Sequence, residues 1–133
     1  METLKVVIAG SREIRDYSQL TSLIAKVMPE YTNYERILIM TGGARGVDWM
    51  GKRYANEHGY LYKEFKPVYA TQNDRYAPLR RNEEMAKLGD ILIALWDGKS
   101  RGTEHMINCM KKKGKTTHVQ NTLTGTYLVT RVK

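Results

Sequence analysis

Three apolar runs in this chain each lead, through a glycine-bearing loop, into a segment with helical spacing. Residues 4–9 end at Gly10; Ile37-Leu38-Ile39-Met40 is followed by Gly42, Gly43 and Gly46; Ile91-Leu92-Ile93-Ala94-Leu95 is followed by Gly98 and Gly102. Runs this short and this continuously apolar are strands buried on both faces, and such strands belong to parallel sheets covered by helices. The segments between them supply the helices. Leu20, Leu23, Ile24 and Val27 share one face of a helix predicted over residues 17–28, with Asp16 as its cap, Gln19 as a capping-box partner and Pro29 as its stop. Val47, Met50, Gly51, Tyr54 and Ala55 do the same for residues 47–58, which Gly59 ends. Pro78 suits the first turn of a third helix reaching Gly89. Residues 102–113 form a fourth, closed by three lysines and Gly114. Residues 60–65 and 116–119 read as further strands, and residues 123–132 as an edge strand in a hairpin turning at Gly125. The prediction is an α/β fold: a single domain over residues 1–133, with an open, mostly parallel sheet flanked by helices.

Length and composition narrow the setting. A chain of 133 residues suits one domain that buries roughly two thirds of its unfolded surface. No apolar run approaches the roughly 20 residues of a membrane span, and the N-terminal run reads as a first strand, not a signal peptide. Cys109 is the only cysteine, which excludes an internal disulfide and makes a reducing, cytoplasmic setting the expectation. The formal net charge of +8 calls for an anionic partner: nucleic acid, a phosphorylated metabolite or an acidic protein. His58 and His105 lack metal-ligand spacing, and neither a metal nor a cofactor is predicted.

The chemistry is expected in the loops, because ligands of open α/β sheets bind beyond the carboxyl ends of the strands. Gly10-Ser11-Arg12 offers a tight turn, a hydroxyl and a planar fork for phosphate or carboxylate. Thr41-Gly42-Gly43-Ala44-Arg45-Gly46-Val47-Asp48 places glycines between a strand and a helix start, which exposes backbone N–H groups to an anion. Its spacing matches neither the dinucleotide fingerprint nor a Walker A loop. Asp48 either caps the helix or meets a ribose hydroxyl. Asp97-Gly98-Lys99-Ser100-Arg101-Gly102-Thr103 is a third strand-to-helix loop, where Ser100 and Thr103 serve as caps, as phosphate donors, or both. Ahead of it, Arg80 and Arg81 point about 100° apart on a helix, so at most one faces a shared crevice.

These segments, together with Val7-Ile8-Ala9 before the first loop and Arg81-Asn82-Glu83-Glu84-Met85 before the third, resemble the SLOG superfamily over residues 4–119. More narrowly, they look like its small YspA-like bacterial and phage branch. The resemblance implies a Rossmann-like fold, a homodimer, and binding of a nucleotide or nucleotide-derived ligand, as a sensor or a protein that sequesters a signal, including in bacterial conflict systems. The superfamily also holds the LOG phosphoribohydrolases and the single-strand-binding DNA-processing protein DprA, which makes N-glycosidic hydrolysis and nucleic-acid binding the alternatives. The implied ligand contacts are Gly10, Ser11, Arg12, Thr41, Gly42, Gly43, Ala44, Arg45, Gly46, Asp48, Arg81, Asn82, Asp97, Gly98, Ser100, Gly102 and Thr103. LOG enzymes carry Arg-Lys-x-x-Met and Gly-Thr-x-x-Glu segments. This chain keeps Arg81 and Met85 but has Asn82 in place of the lysine, and the glutamate position falls near Met106. For a catalytic role the candidates are therefore Arg81 and Glu104, with Glu84, Asp48 and Asp97 as other available carboxylates.

Overall fold

Side-chain alternation along the central strands decides the layering. In a computed structural model, which describes residues 2–131, the chain runs β1 (Thr3–Gly10), α1 (Tyr17–Val27), β2 (Arg36–Thr41), α2 (Val47–His58), β3 (Leu61–Glu64), α3 (Ala77–Leu88), β4 (Ile91–Trp96), α4 (Arg101–Lys112), β5 (Thr116–Asn121) and β6 (Tyr127–Thr130). Leu4, Val6 and Ile8 of β1 and Ile91, Ile93 and Leu95 of β4 point to one face, where α1 and α2 cover them. Val7, Ala9, Leu92 and Ala94 point to the other, where Met85, Met106 and Met110 of α3 and α4 close over them. Each buried valine, leucine, isoleucine or methionine among them contributes about 1.5–3 kcal/mol, which sets the central strands as the stable floor of the molecule.

The six strands form one sheet in the order β3-β2-β1-β4-β5-β6. The first five are parallel, and β6 returns antiparallel to β5. This is the predicted open, mostly parallel, Rossmann-like sheet. Chain order reverses between β1 and β4, which creates a crevice at their carboxyl ends.

The element ends differ from expectation for local reasons. Helix α1 stops at Val27 and tightens into a 3-10 turn over Met28–Glu30, where Pro29 supplies no N–H. Asp16 caps it through Oδ1, which accepts from the Ser18 N–H (3.0 Å) and from the Ser18 hydroxyl (2.6 Å). Among the described residues no Gln19 side-chain bond returns to Asp16, so the capping box does not form. Strand β5 continues to Asn121, two residues past its predicted end, because it stays paired with β4 up to Trp96 opposite Asn121, while β6 pairs with it from Thr117 to Gln120. The predicted hairpin is present with Gly125 in the left-handed region (φ 75°); Val132, in the predicted edge strand, lies outside the described residues.

A polar cluster fastens β6 to the sheet. His118 on β5 is fully buried, with Nε2 against the Tyr31 hydroxyl and Nδ1 against the Tyr127 hydroxyl, both at 2.8 Å. Arg131, just beyond β6, donates to both carboxylate oxygens of Glu30, at 2.6 and 2.9 Å.

Candidate functional site

The loops after β1, β2 and β4 meet the start of α3 around one crevice of about 480 Å³ at the switch point. Gly10, Ser11, Arg12, Gly42, Ala44, Asp48, Arg81, Asn82, Asp97, Ser100, Gly102 and Thr103 line it together with Pro78, Met85 and Met106, for which the sequence suggested no ligand contact, and Leu79, which it did not single out.

The first loop is held from beneath. Ser11 is buried; its N–H donates to the Leu95 carbonyl (3.2 Å) and its Oγ accepts from the Asp97 N–H (3.2 Å). These bonds tie the ends of β1 and β4 together and leave the exposed Arg12 at the mouth, with no ion pair among the described residues. A side chain at Gly10 would collide with the Leu95 carbonyl and with Val47, so this glycine is needed for packing.

The second loop divides its residues between two roles. Gly42 lies against the Arg81 guanidinium, whose Nη1 donates to the carbonyls of Gly42 (2.8 Å) and Phe65 (3.2 Å) while Nε donates to Asn82 Oδ1 (3.1 Å). Arg80, one position earlier, faces outward and pairs with Asp74 and the Val68 carbonyl, which pins the loop ahead of α3. One arginine of the pair therefore faces the crevice. Thr41, Gly43, Arg45 and Gly46 stand back from it: Thr41 is buried against Tyr62 (2.7 Å), Gly43 faces Glu64, Arg45 pairs with Glu13 (2.8 Å), and Gly46 packs on the Arg12 backbone.

Asp48 sits in the first turn of α2 and is 7% exposed. Its Oδ2 accepts from the Ala44 N–H (3.1 Å). Burial pushes this carboxyl up to about 6, against the opposing pull of the Ala44 N–H, the Arg81 charge, the Gly42 N–H and Arg12. The same burial lowers Arg81, which the Asp48 charge partly restores.

In the third loop Asp97 Oδ1 accepts from the N–H groups of Ser100 and Lys99, both at 2.8 Å, and these bonds hold its carboxyl below the usual range. Gly98 turns the loop with φ 79° and does not line the crevice. Ser100 is the N-cap residue of α4, yet its hydroxyl meets Thr103 Oγ1 (3.1 Å) and makes no capping bond. The first-turn N–H groups of α4 thus reach the crevice without a side-chain cap, and a Cβ on Gly102 would meet nothing within 4 Å.

The carboxylates proposed for catalysis from the sequence separate here. Glu104 and Glu84 are exposed and do not line the crevice, whereas Asp48 and Asp97 do. Met106, at the position of the hydrolase glutamate, is buried in the crevice wall. Pro78, Arg81, Asn82 and Met85 are spaced i, i+3, i+4 and i+7 on α3, which is one helical face. That spacing joins Pro78 and Met85 to the expected contacts Arg81 and Asn82. His105 is engaged by Asn82 Nδ2 (3.1 Å), and no metal-binding cluster occurs among the described residues.

Strand order and cleft together define a Rossmann-like α/β protein with its crevice at the topological switch point. The chain belongs to the YspA, cpYpsA-related SLOG family, whose model matches residues 4–70. Its fold is similar to DNA processing protein A from Helicobacter pylori, described for its single-stranded DNA binding mode, with a TM-score of 0.64 and 23% identity over 87% of this chain. DNA processing protein A from Streptococcus pneumoniae gives a TM-score of 0.67 at 17% identity over 88%. The structural-genomics target TM1055 gives 0.61 at 18% identity over 86% of this chain and 72% of its own. The chain spans 64% and 50% of the lengths of the two DNA processing proteins. At these identities the likeness is one of fold. No curated protein matches the sequence. No helix among the described residues is long and apolar enough to cross a membrane.

Proposed function

We propose that the crevice binds a nucleotide or nucleotide-derived ligand through its phosphate, and that the protein acts as a sensor or a sink for that ligand. The observation that carries this reading is the uncapped start of α4, which opens on the crevice beside Lys99 and Arg12. A helix N-terminus with unmade N–H bonds carries positive potential, and two cations with no ion pair among the described residues reinforce it. The apolar wall of Pro78, Leu79, Met85 and Met106 suits a base, and the volume lies within the range of small-molecule sites. Binding without turnover is favoured over N-glycosidic hydrolysis, because Met106 stands where the hydrolase has its glutamate. Assembly as a homodimer belongs to the same proposal; light scattering that finds only monomer at micromolar concentrations would count against it.

The direct test is mass spectrometry of small molecules released by heating the purified protein, followed by calorimetric titration. Arg12→Ala should fold normally and lose about tenfold to a hundredfold in affinity for the released ligand. Unchanged affinity would remove the crevice mouth from the site, and conversion of the ligand during incubation would restore the hydrolase reading.

A second reading rests on the exposed Trp49, Tyr69 and Tyr76 and on the net charge of +8. Aromatic faces beside basic residues are how single-stranded nucleic acid is held without sequence preference.

A further inference from the structure

We propose that Asp48 is the sugar-recognising group of the crevice: its carboxylate accepts the hydroxyl donors of a ribose and makes the site select ribose phosphates over their 2-deoxy counterparts. This rests on the phosphate reading above and adds what stands beside the phosphate.

Three structural roles for Asp48 fail on geometry. It is not a cap of α2, because its bond runs upstream to the Ala44 N–H, while Gly46 holds the N-cap position without a side-chain bond. It is not half of an ion pair, because the nearby Arg81 is engaged by the Gly42 and Phe65 carbonyls and by Asn82, and no salt bridge joins the two. It is not a metal ligand in any cluster of the described residues. What remains is a carboxylate 93% removed from solvent that lines the crevice, is drawn to the N–H groups of Ala44 and Gly42, and makes no hydrogen bond through Oδ1 among the described residues. Oδ1 is not among the sealed, partnerless polar atoms of the described residues, so it opens on the crevice, and an ionised carboxylate only accepts. The ligand group that meets it in the crevice is therefore a donor, and a phosphate, which repels it, is excluded. The anion belongs at the α4 terminus with Lys99 and Arg12, so the group presented to Asp48 is the neutral, hydroxyl-bearing part of the same ligand. Vicinal hydroxyls of a ribose are donors of the right kind.

The test uses three probes on the full chain: inorganic phosphate, ribose 5-phosphate and 2-deoxyribose 5-phosphate, titrated at pH 7.5 by ligand-observed NMR. The parent protein should bind ribose 5-phosphate about tenfold or more tightly than the deoxy sugar. In Asp48→Ala and Asp48→Asn that preference should shrink to about twofold or less, with phosphate binding retained. Asparagine keeps an acceptor for the Ala44 N–H, so it controls for loss of the loop. Equal binding of the two sugars by the parent, or a preference that survives in both variants, overturns the assignment and leaves the phosphate reading intact. If none of the three probes binds, the phosphate reading falls, and this inference with it.

Discussion

At the scale of single residues, one carboxylate of the crevice works against stability. Asp48 ordinarily titrates at 3.8 and is pushed to about 6 in the folded protein. Across roughly pH 4 to 6 the native state holds a proton that the unfolded chain has released, so this residue makes stability fall as pH rises through that window. At neutral pH the cost is on the order of 2–3 kcal/mol. Asp48→Asn should therefore be more stable than the parent above pH 6, with the difference vanishing near pH 4; urea unfolding at several pH values measures it, and a variant less stable at pH 7 would contradict the account. The glycines divide similarly. Gly10→Ala forces a methyl into the Leu95 carbonyl and Val47 and should cost about 1–3 kcal/mol. Gly102→Ala has open space in a helical first turn and should be neutral or stabilising by roughly 0.5–1 kcal/mol, as thermal unfolding would show. The sequence could not separate these two glycines, since both follow strands; only the neighbours reveal which one leaves room for a ligand.

At the scale of elements, the parts differ in how firmly they are held. Strands β1 and β4 lie in the middle of the sheet, whereas β6 pairs on one side only and relies on His118, Tyr127 and Arg131. Burial lowers the His118 pKa below its ordinary 6.5, against the pull of Glu30 and with some help from Arg131. Tyr31 on one side and Tyr127, with Lys26 over its ring, on the other complete its surroundings. An opened hairpin frees the imidazole to take a proton, so opening becomes easier as pH falls below about 6.5. Native-state hydrogen exchange, corrected for intrinsic rates, should show β6 less protected than β1 at pH 8 and the gap widening at pH 6. A gap that does not move would remove His118 as the cause. Continuous apolar runs made β1, β2 and β4 legible in the sequence, and the Gly59 stop made α2 legible to the residue. On the crevice face of α3 only Arg81 and Asn82 were expected as contacts, because the segment between β3 and α3 carries no periodicity that shows how it returns to the sheet. Only the tertiary return of that segment, pinned by Arg80 on Asp74, brings Pro78 and Leu79 to the site.

At the scale of the whole molecule, the net charge of +8 and the local site act over different ranges. A monophosphate held inside the crevice meets few cations, so the plot of log affinity against log salt should be shallow, with a slope of about two or less. An oligonucleotide running over the basic surface and the exposed aromatics would release several counterions and give a much steeper slope. Comparing the two slopes decides between the leading reading and the second one. The path of the chain has its own consequence. Strand β1 begins at the end of the sheet opposite the crevice, with Thr3 beside Arg36, and the antiparallel β6 finishes at that same end, with Thr130 beside Thr117. Both ends of the described chain thus leave from the back. A partner domain, an affinity tag or a surface tether fused at either end would leave the mouth clear, so this fold can be plugged into larger architectures without rebuilding its front.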